Sequence, residues 1–148
     1  MCGRFCCACS KEKVADRLGV QVDPAQYSIT YNASPSQTLP VVTNNNPDKL
    51  SFYKWGLIPA WAKYKSIGAK MINARVETLT EKPAFRDPLR SKRCLVPATG
   101  FYEWKHYGKQ KQACFLTLKN EPIFTFAGLW DTWTDNTTGE LLNTFTII

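Results

Sequence analysis

Runs of about four to eight apolar, β-branched and aromatic residues recur through most of this chain, each closed off by a cluster of Asn, Asp, Gly or Pro, and this spacing constrains the fold to a β-rich one. Thr38 to Thr43 and Lys49 to Trp55 read as a hairpin around the turn-rich Asn44-Asn45-Asn46-Pro47-Asp48. In its second strand Leu50, Phe52 and Lys54 alternate with Ser51, Tyr53 and Trp55, so one face is expected to be buried. Cys94 to Pro97 and Gly100 to Lys105 follow as consecutive strands with a corner at Pro97 to Thr99, and His106 to Lys109 reads as a turn. Ala113 to Leu118 and Ile123 to Trp130 are expected to pair across Lys119-Asn120-Glu121-Pro122, and Leu141 to Ile148 forms a last strand. Helices are few. Ser10 caps a short one, with Val14 and Leu18 on its inner face and Gly19 as its stop, while Pro88 argues against a continuous helix over Pro83 to Arg93. The fold class is therefore α+β, predominantly antiparallel β with small peripheral helices.

A chain of 148 residues suits one domain over 1–148, and its 44% hydrophobic and 21% charged content is that of a folding sequence. The net charge of +7, from 19 basic against 12 acidic residues, favours a polyanionic partner, nucleic acid first. Arg4, Lys11, Glu12, Lys13, Asp16 and Arg17 break any apolar signal or spanning segment at the start. A cytoplasmic, nucleoid-associated monomer with no membrane partner is the expectation, its six cysteines held as thiols.

The chemistry begins at Met1-Cys2-Gly3-Arg4. Removal of Met1, which the small Cys2 side chain permits, leaves an α-amine and a thiol on adjacent carbons. Such a 1,2-aminothiol condenses with an aldehyde to an imine, and the thiol then closes a five-membered thiazolidine. The α-amine titrates at about 7.7–8.0 and a thiol at about 8.5, which a neighbouring cation such as Arg4 lowers.

Other features carry more than one reading. Cys6-Cys7-Ala8-Cys9 holds a Cys-x-x-Cys spacing that invites a zinc or redox reading, but Cys94 and Cys114 stand apart and His106 is the only histidine, so zinc lacks a second ligand pair, and a thioredoxin-like site lacks the βαβ context it needs. No metal or cofactor is called for. Trp55 to Lys63 sets two tryptophans, Trp55 and Trp61, beside lysines; such loops stack unpaired bases at about 1–3 kcal/mol each, though each indole also reads as core. Lys70 to Thr78 is polar, with Asn73 and Arg75 on one side if extended. Arg86, Arg90, Lys92 and Arg93 make either a solvated surface or a phosphate track. Glu103 sits inside an aromatic run, where a carboxylate serves general acid-base chemistry if withdrawn from water and does nothing special if alternation turns it outward.

Taken together, Met1-Cys2-Gly3-Arg4-Phe5, Tyr31-Asn32-Ala33-Ser34-Pro35, Trp55-Gly56-Leu57-Ile58-Pro59-Ala60-Trp61, Met71 to Thr78, Arg93 to Pro97 and Gly100-Phe101-Tyr102-Glu103-Trp104 resemble the SRAP domain of SOS-response-associated proteins, in family order and over nearly the whole chain. The resemblance implies twisted sheets or a barrel. It implies a sensor of abasic sites in single-stranded DNA that crosslinks through Cys2, with Asn73 orienting the sugar or the adduct and Glu103 as the acid-base group. By the same matching, Arg4 and Arg75 hold phosphates, Arg86 extends the backbone contact, and Pro35, Trp55, Trp61 and Trp104 wedge or stack flanking bases.

The family pattern continues into a His-x-Arg-Met-Pro motif, and this sequence ends at Ile148 before it; His106 does not match that histidine. The expectation is a truncated or naturally short form with the C-terminal part of the family fold missing, leaving a sheet edge or core face uncovered. Two alternatives stand beside covalent capture: a module that only binds single-stranded DNA, and a thiol-dependent autopeptidase with Cys2 as nucleophile.

Overall fold

The computed structural model describes residues 2–148. Among these residues nine strands form two sheets. β1 (Phe5–Cys7), β2 (Thr30–Ala33), β6 (Gly100–Tyr107) and β7 (Gln110–Leu116) make a four-stranded sheet in the order β2-β1-β6-β7. β3 (Thr38–Thr43), β4 (Asn46–Trp55), β5 (Arg93–Ala98), β8 (Phe124–Thr134) and β9 (Leu141–Ile147) close a barrel in the order β3-β4-β9-β8-β5. Every pairing is antiparallel except β4 with β9, where Lys54 and Trp55 oppose Thr144 and Phe145. The last strand is paired on both sides, so the barrel carries no open edge; the sheet edges belong to β2 and β7. No helix among the described residues is long and apolar enough to cross a membrane.

Local sequence explains the first helix. The Ser10 hydroxyl accepts from the Lys13 amide to start α1 (Lys11–Leu18), Val14 is buried, and Gly19 ends it at φ 65° with its amide on the Ala15 carbonyl. Three expectations are corrected. First, Pro88 does not break its segment: α2 (Pro83–Ser91) runs through it as one helix. The lost amide at Pro88 forfeits a single bond, which burial of Ala84, Phe85 and Pro88 on one face offsets. Second, β4 buries both faces, because Leu50 joins Val14, Val20 and Val42 under α1 while Trp55 enters the barrel core. Third, β7 and β8 do not pair. β7 returns along β6, whereas β8 crosses to the barrel beside β5 and β9.

The barrel core is aromatic. Trp55 stacks on Phe145 at 6.4 Å and meets the edge of Phe5 at 5.2 Å, and its Nε1 donates to the Ile72 carbonyl at 2.8 Å. That indole ties the strand to the polar segment that follows. Gly56, at φ 125°, lets the chain leave β4 so close to Gly68 that a Cβ would lie 2.6 Å from the Gly68 oxygen. Leu57 then bonds Met71, and Ala74 bonds Ile147, which fixes residues 71–74 against β9. Gly56→Ala is therefore expected to cost about 1–3 kcal/mol by strain and clash, read as a lower thermal midpoint. Its second readout is Asn73, whose position depends on this approach.

Candidate functional site

Cys2 is buried in the core cluster that also holds Phe5, Ala33 and Trp55. Its neighbour comes from far along the chain: Asn73 Nδ2 donates to the Cys2 carbonyl at 2.7 Å. Asn73 is held there by a bridge to Ile147 in β9. Glu103 approaches from β6, half-buried, near enough that its charge acts on the Cys2 thiol. Alternation along β6 puts Glu103 on the same face as Phe101, which packs against the core. Residues from β6 and from the segment before β5 thus converge on the backbone and the sulfur of Cys2.

The thiol differs from expectation. Burial first, and the Glu103 charge besides, push it up from an ordinary 9.0 to about 11, the backbone of Arg4 acting in the other direction. Cys2 Sγ donates to the Arg4 carbonyl at 3.4 Å. The Arg4 side chain turns elsewhere, its Nη1 donating to Asn32 Oδ1 at 3.0 Å. Loss of Met1, on which a free Cys2 amine depends, concerns a residue outside the described ones.

Arg4, Tyr31, Asn32, Tyr102 and Trp104 line an open cleft of about 550 Å³. Tyr102 and Trp104 alternate with Glu103, so the cleft lies across β6 from the Cys2 group. Tyr31 and Trp104 are exposed, a guanidinium stands beside them, and the lining suits a flat base next to a phosphate. Tyr31, Asn32 and Tyr102 carried no assigned role in the sequence reading. Their signal was position alone, within the same short stretches as Pro35 and Glu103.

The remaining expected contacts divide. Pro35 and Ser36 form a tight turn in which Ser36 takes φ 72°, its amide on the Trp55 carbonyl at 2.8 Å. Arg75 is exposed two residues beyond Asn73, in extended backbone that leads into a 3-10 turn over Val76–Thr78. Trp61 is 63% exposed in a loop that Asp131 secures by accepting from the Ala60 amide at 2.8 Å. Trp55 is a correction: at 1% exposure, with its nitrogen bonded inside, it has no face for a base. Arg86 lies on α2, paired with Asp87 at 3.4 Å and apart from the Arg4 cleft.

The Cys-x-x-Cys spacing does not form a unit either. Cys6 Sγ donates to the Tyr31 carbonyl at 2.6 Å, whereas Cys7 and Cys9 both face the Tyr27 hydroxyl, at 3.5 and 3.8 Å. No group of three or more metal-ligating side chains occurs among the described residues.

Comparison with known proteins adds identity to this geometry. A family model described as SOS response associated peptidase (SRAP) matches residues 1–148. The chain is 46% identical over 152 residues to the abasic site processing protein YoaM of Bacillus subtilis, covering all of this chain and 66% of that protein. It is 30% identical over 190 residues to the abasic site processing protein HMCES of Gallus gallus, covering all of this chain and 56% of that one. A crystal structure of a protein from Bacteroides thetaiotaomicron superposes with a TM-score of 0.92 at 37% identity, over 99% of this chain and 67% of the other. The chain thus spans about two thirds of the bacterial relatives' length and little more than half of the Gallus gallus one.

Proposed function

The chain belongs to the SRAP family, and on that premise we propose that it captures abasic sites in single-stranded DNA by a covalent bond through Cys2. The observation that carries this reading is the hydrogen bond from Asn73 to the Cys2 carbonyl, with the Glu103 charge acting on the same residue's thiol. A side chain that grips the backbone of a terminal cysteine fixes both its nitrogen and its sulfur against an incoming carbonyl.

Chemically, loss of Met1 frees the Cys2 amine. The amine adds to the aldehyde of the ring-opened sugar, water leaves, and a C=N bond forms. The thiol then adds across that bond, the new C–S bond closing the ring while the sulfur's proton passes to nitrogen. Glu103 serves as the proton carrier for ring opening and for loss of water. An α-ammonium on Cys2 itself also lowers the thiol from its raised value, since it places a cation beside the sulfur.

The same reading extends to contacts with the strand. Arg4 and Arg75 meet phosphates, Trp104 and Trp61 offer exposed faces to bases, and the Pro35 turn stands as a wedge. Arg75→Ala is expected to weaken binding to single strands of any sequence and to reduce the salt slope by about 1, measured by fluorescence anisotropy across a salt series. An autopeptidase would need a Cys2 thiolate at neutral pH, and a thiol raised to about 11 disfavours it.

Intact mass before and after incubation with an abasic oligonucleotide tests the proposal. Protein lacking Met1 that gains the mass of the strand less one water supports it. Protein that retains Met1, or that sheds the damaged strand under denaturing conditions, refutes it.

A further inference from the structure

Cys7 and Cys9 form a cluster that capture at Cys2 does not use. They stand two residues apart where the chain bends out of β1, their sulfurs both within reach of the Tyr27 hydroxyl, at 3.5 and 3.8 Å. Tyr27 in turn donates to the Cys9 carbonyl at 2.8 Å, which pins the bend. The two sulfurs occupy unlike surroundings. Cys7 is 0% exposed among Val14, Val20, Leu50 and Ile123, whereas Cys9 is partly open to solvent.

Cys9 also sits immediately ahead of Ser10, the cap of α1, where the helix's positive end and the Lys13 ammonium both favour an anion. The neighbouring Cys7 thiol acts most strongly, with the Lys13 ammonium in support, and Cys9 is brought down to about 6 while Cys7 is driven up. A partly exposed cysteine in an electropositive setting, with a second thiol gathered on the same hydroxyl, is the arrangement in which cysteine oxidation is selective.

We propose that Cys7 and Cys9 are a peroxide-reactive pair, Cys9 the nucleophile and Cys7 the resolving thiol, which closes to an intramolecular disulfide. The Cys9 thiolate attacks one peroxide oxygen, the O–O bond breaks, hydroxide leaves and Cys9 becomes a sulfenic acid. Cys7 sulfur then attacks the Cys9 sulfur; the S–O bond breaks, and the hydroxyl departs with the Cys7 proton as water. The peroxide is reduced and two thiols are oxidised. Cys2, whose thiol is held protonated, reacts later than Cys9.

The test uses the full chain, equimolar hydrogen peroxide and tryptic mapping of the peptide from Phe5 to Lys11, which holds Cys6, Cys7 and Cys9. Wild type is expected to lose two hydrogens in this peptide, with fragmentation placing the link between Cys7 and Cys9. Cys7→Ser should stop at a Cys9 sulfenic acid that dimedone traps, and Cys9→Ser should slow oxidation of the peptide about tenfold or more. A link to Cys6, an unchanged rate in Cys9→Ser, or earlier oxidation of Cys114 or Cys2 overturns the proposal. Should Cys7→Ser fail to fold, iodoacetamide on wild type decides: Cys9 must alkylate ahead of Cys114 at neutral pH, and the reverse order refutes the assignment. None of these readouts involves DNA, so they stand or fall apart from capture at Cys2.

Discussion

Cys2→Ala is expected to reduce denaturation-resistant adduct with an abasic strand to background while leaving non-covalent affinity for the strand within about twofold, since methyl replaces a buried thiol whose hydrogen bond to the Arg4 carbonyl is weak. Alanine retains the α-amine, so an imine still forms, but imines hydrolyse and only a reductant would trap it. Borohydride rescue of the variant, with no adduct in its absence, isolates the sulfur's role from the nitrogen's. Equal adduct yield from Cys2→Ala and wild type without reductant would remove the thiazolidine.

The pH dependence follows from the same two groups. Attack needs a neutral amine, so the initial rate is expected to rise with pH through about 7.7–8.0 and then to level. The sulfur supplies a separate, opposite effect on the fold. Its value is raised from 9.0 to about 11, so the folded state holds that proton more tightly than the unfolded chain. This contribution to stability is complete below pH 9 and is lost as pH rises from 9 to 11. Chemical denaturation of wild type and Cys2→Ala over that range should show the steeper alkaline loss in wild type.

What the sequence disclosed and what it hid divide along the range of the interactions involved. α1 was legible because Ser10 and Gly19 act within one turn, and the β3–β4 hairpin because its turn residues lie between its strands. Cys2 was legible from its own aminothiol chemistry, and the resemblance gave roles to Asn73 and Glu103. That Asn73 grips the Cys2 carbonyl is set instead by the Gly56–Gly68 approach and the bridge to Ile147, neither of which leaves a local pattern. β7 and β8 look like a hairpin because they are adjacent in sequence, yet their separation into two sheets reflects where Ile123, Phe124 and Phe126 find core partners. Cys6 and Cys9 have a metal-like spacing, but Cys6 and Cys7, being neighbours on a strand, must face opposite ways. The two tryptophans of one basic loop look alike in sequence; contacts with Phe5, Ile72 and Phe145 bury the first, while the second stays 63% exposed.

That separation gives the second large effect. Trp55→Ala removes the indole that stacks on Phe145, meets Phe5 and bonds the Ile72 carbonyl. A cavity of that size costs about 3–5 kcal/mol, and the freed carbonyl adds to it. Against a domain stability of about 5–15 kcal/mol, the thermal midpoint should fall by roughly 10 °C or more. DNA binding would then be lost only in proportion to unfolded protein. Trp61→Ala should behave in the reverse way, because its ring is 63% exposed and its loop is anchored by Asp131 rather than by the indole. Its midpoint should move by no more than about 2 °C, while affinity for single strands falls by the value of one stacked base, about 1–3 kcal/mol. Differential scanning fluorimetry and anisotropy on the same two proteins read both effects. An affinity loss in Trp55→Ala at a temperature where it is fully folded would return that indole to the DNA surface and contradict the packing, whereas a stable Trp61→Ala with unchanged affinity would leave the exposed ring without a base to stack.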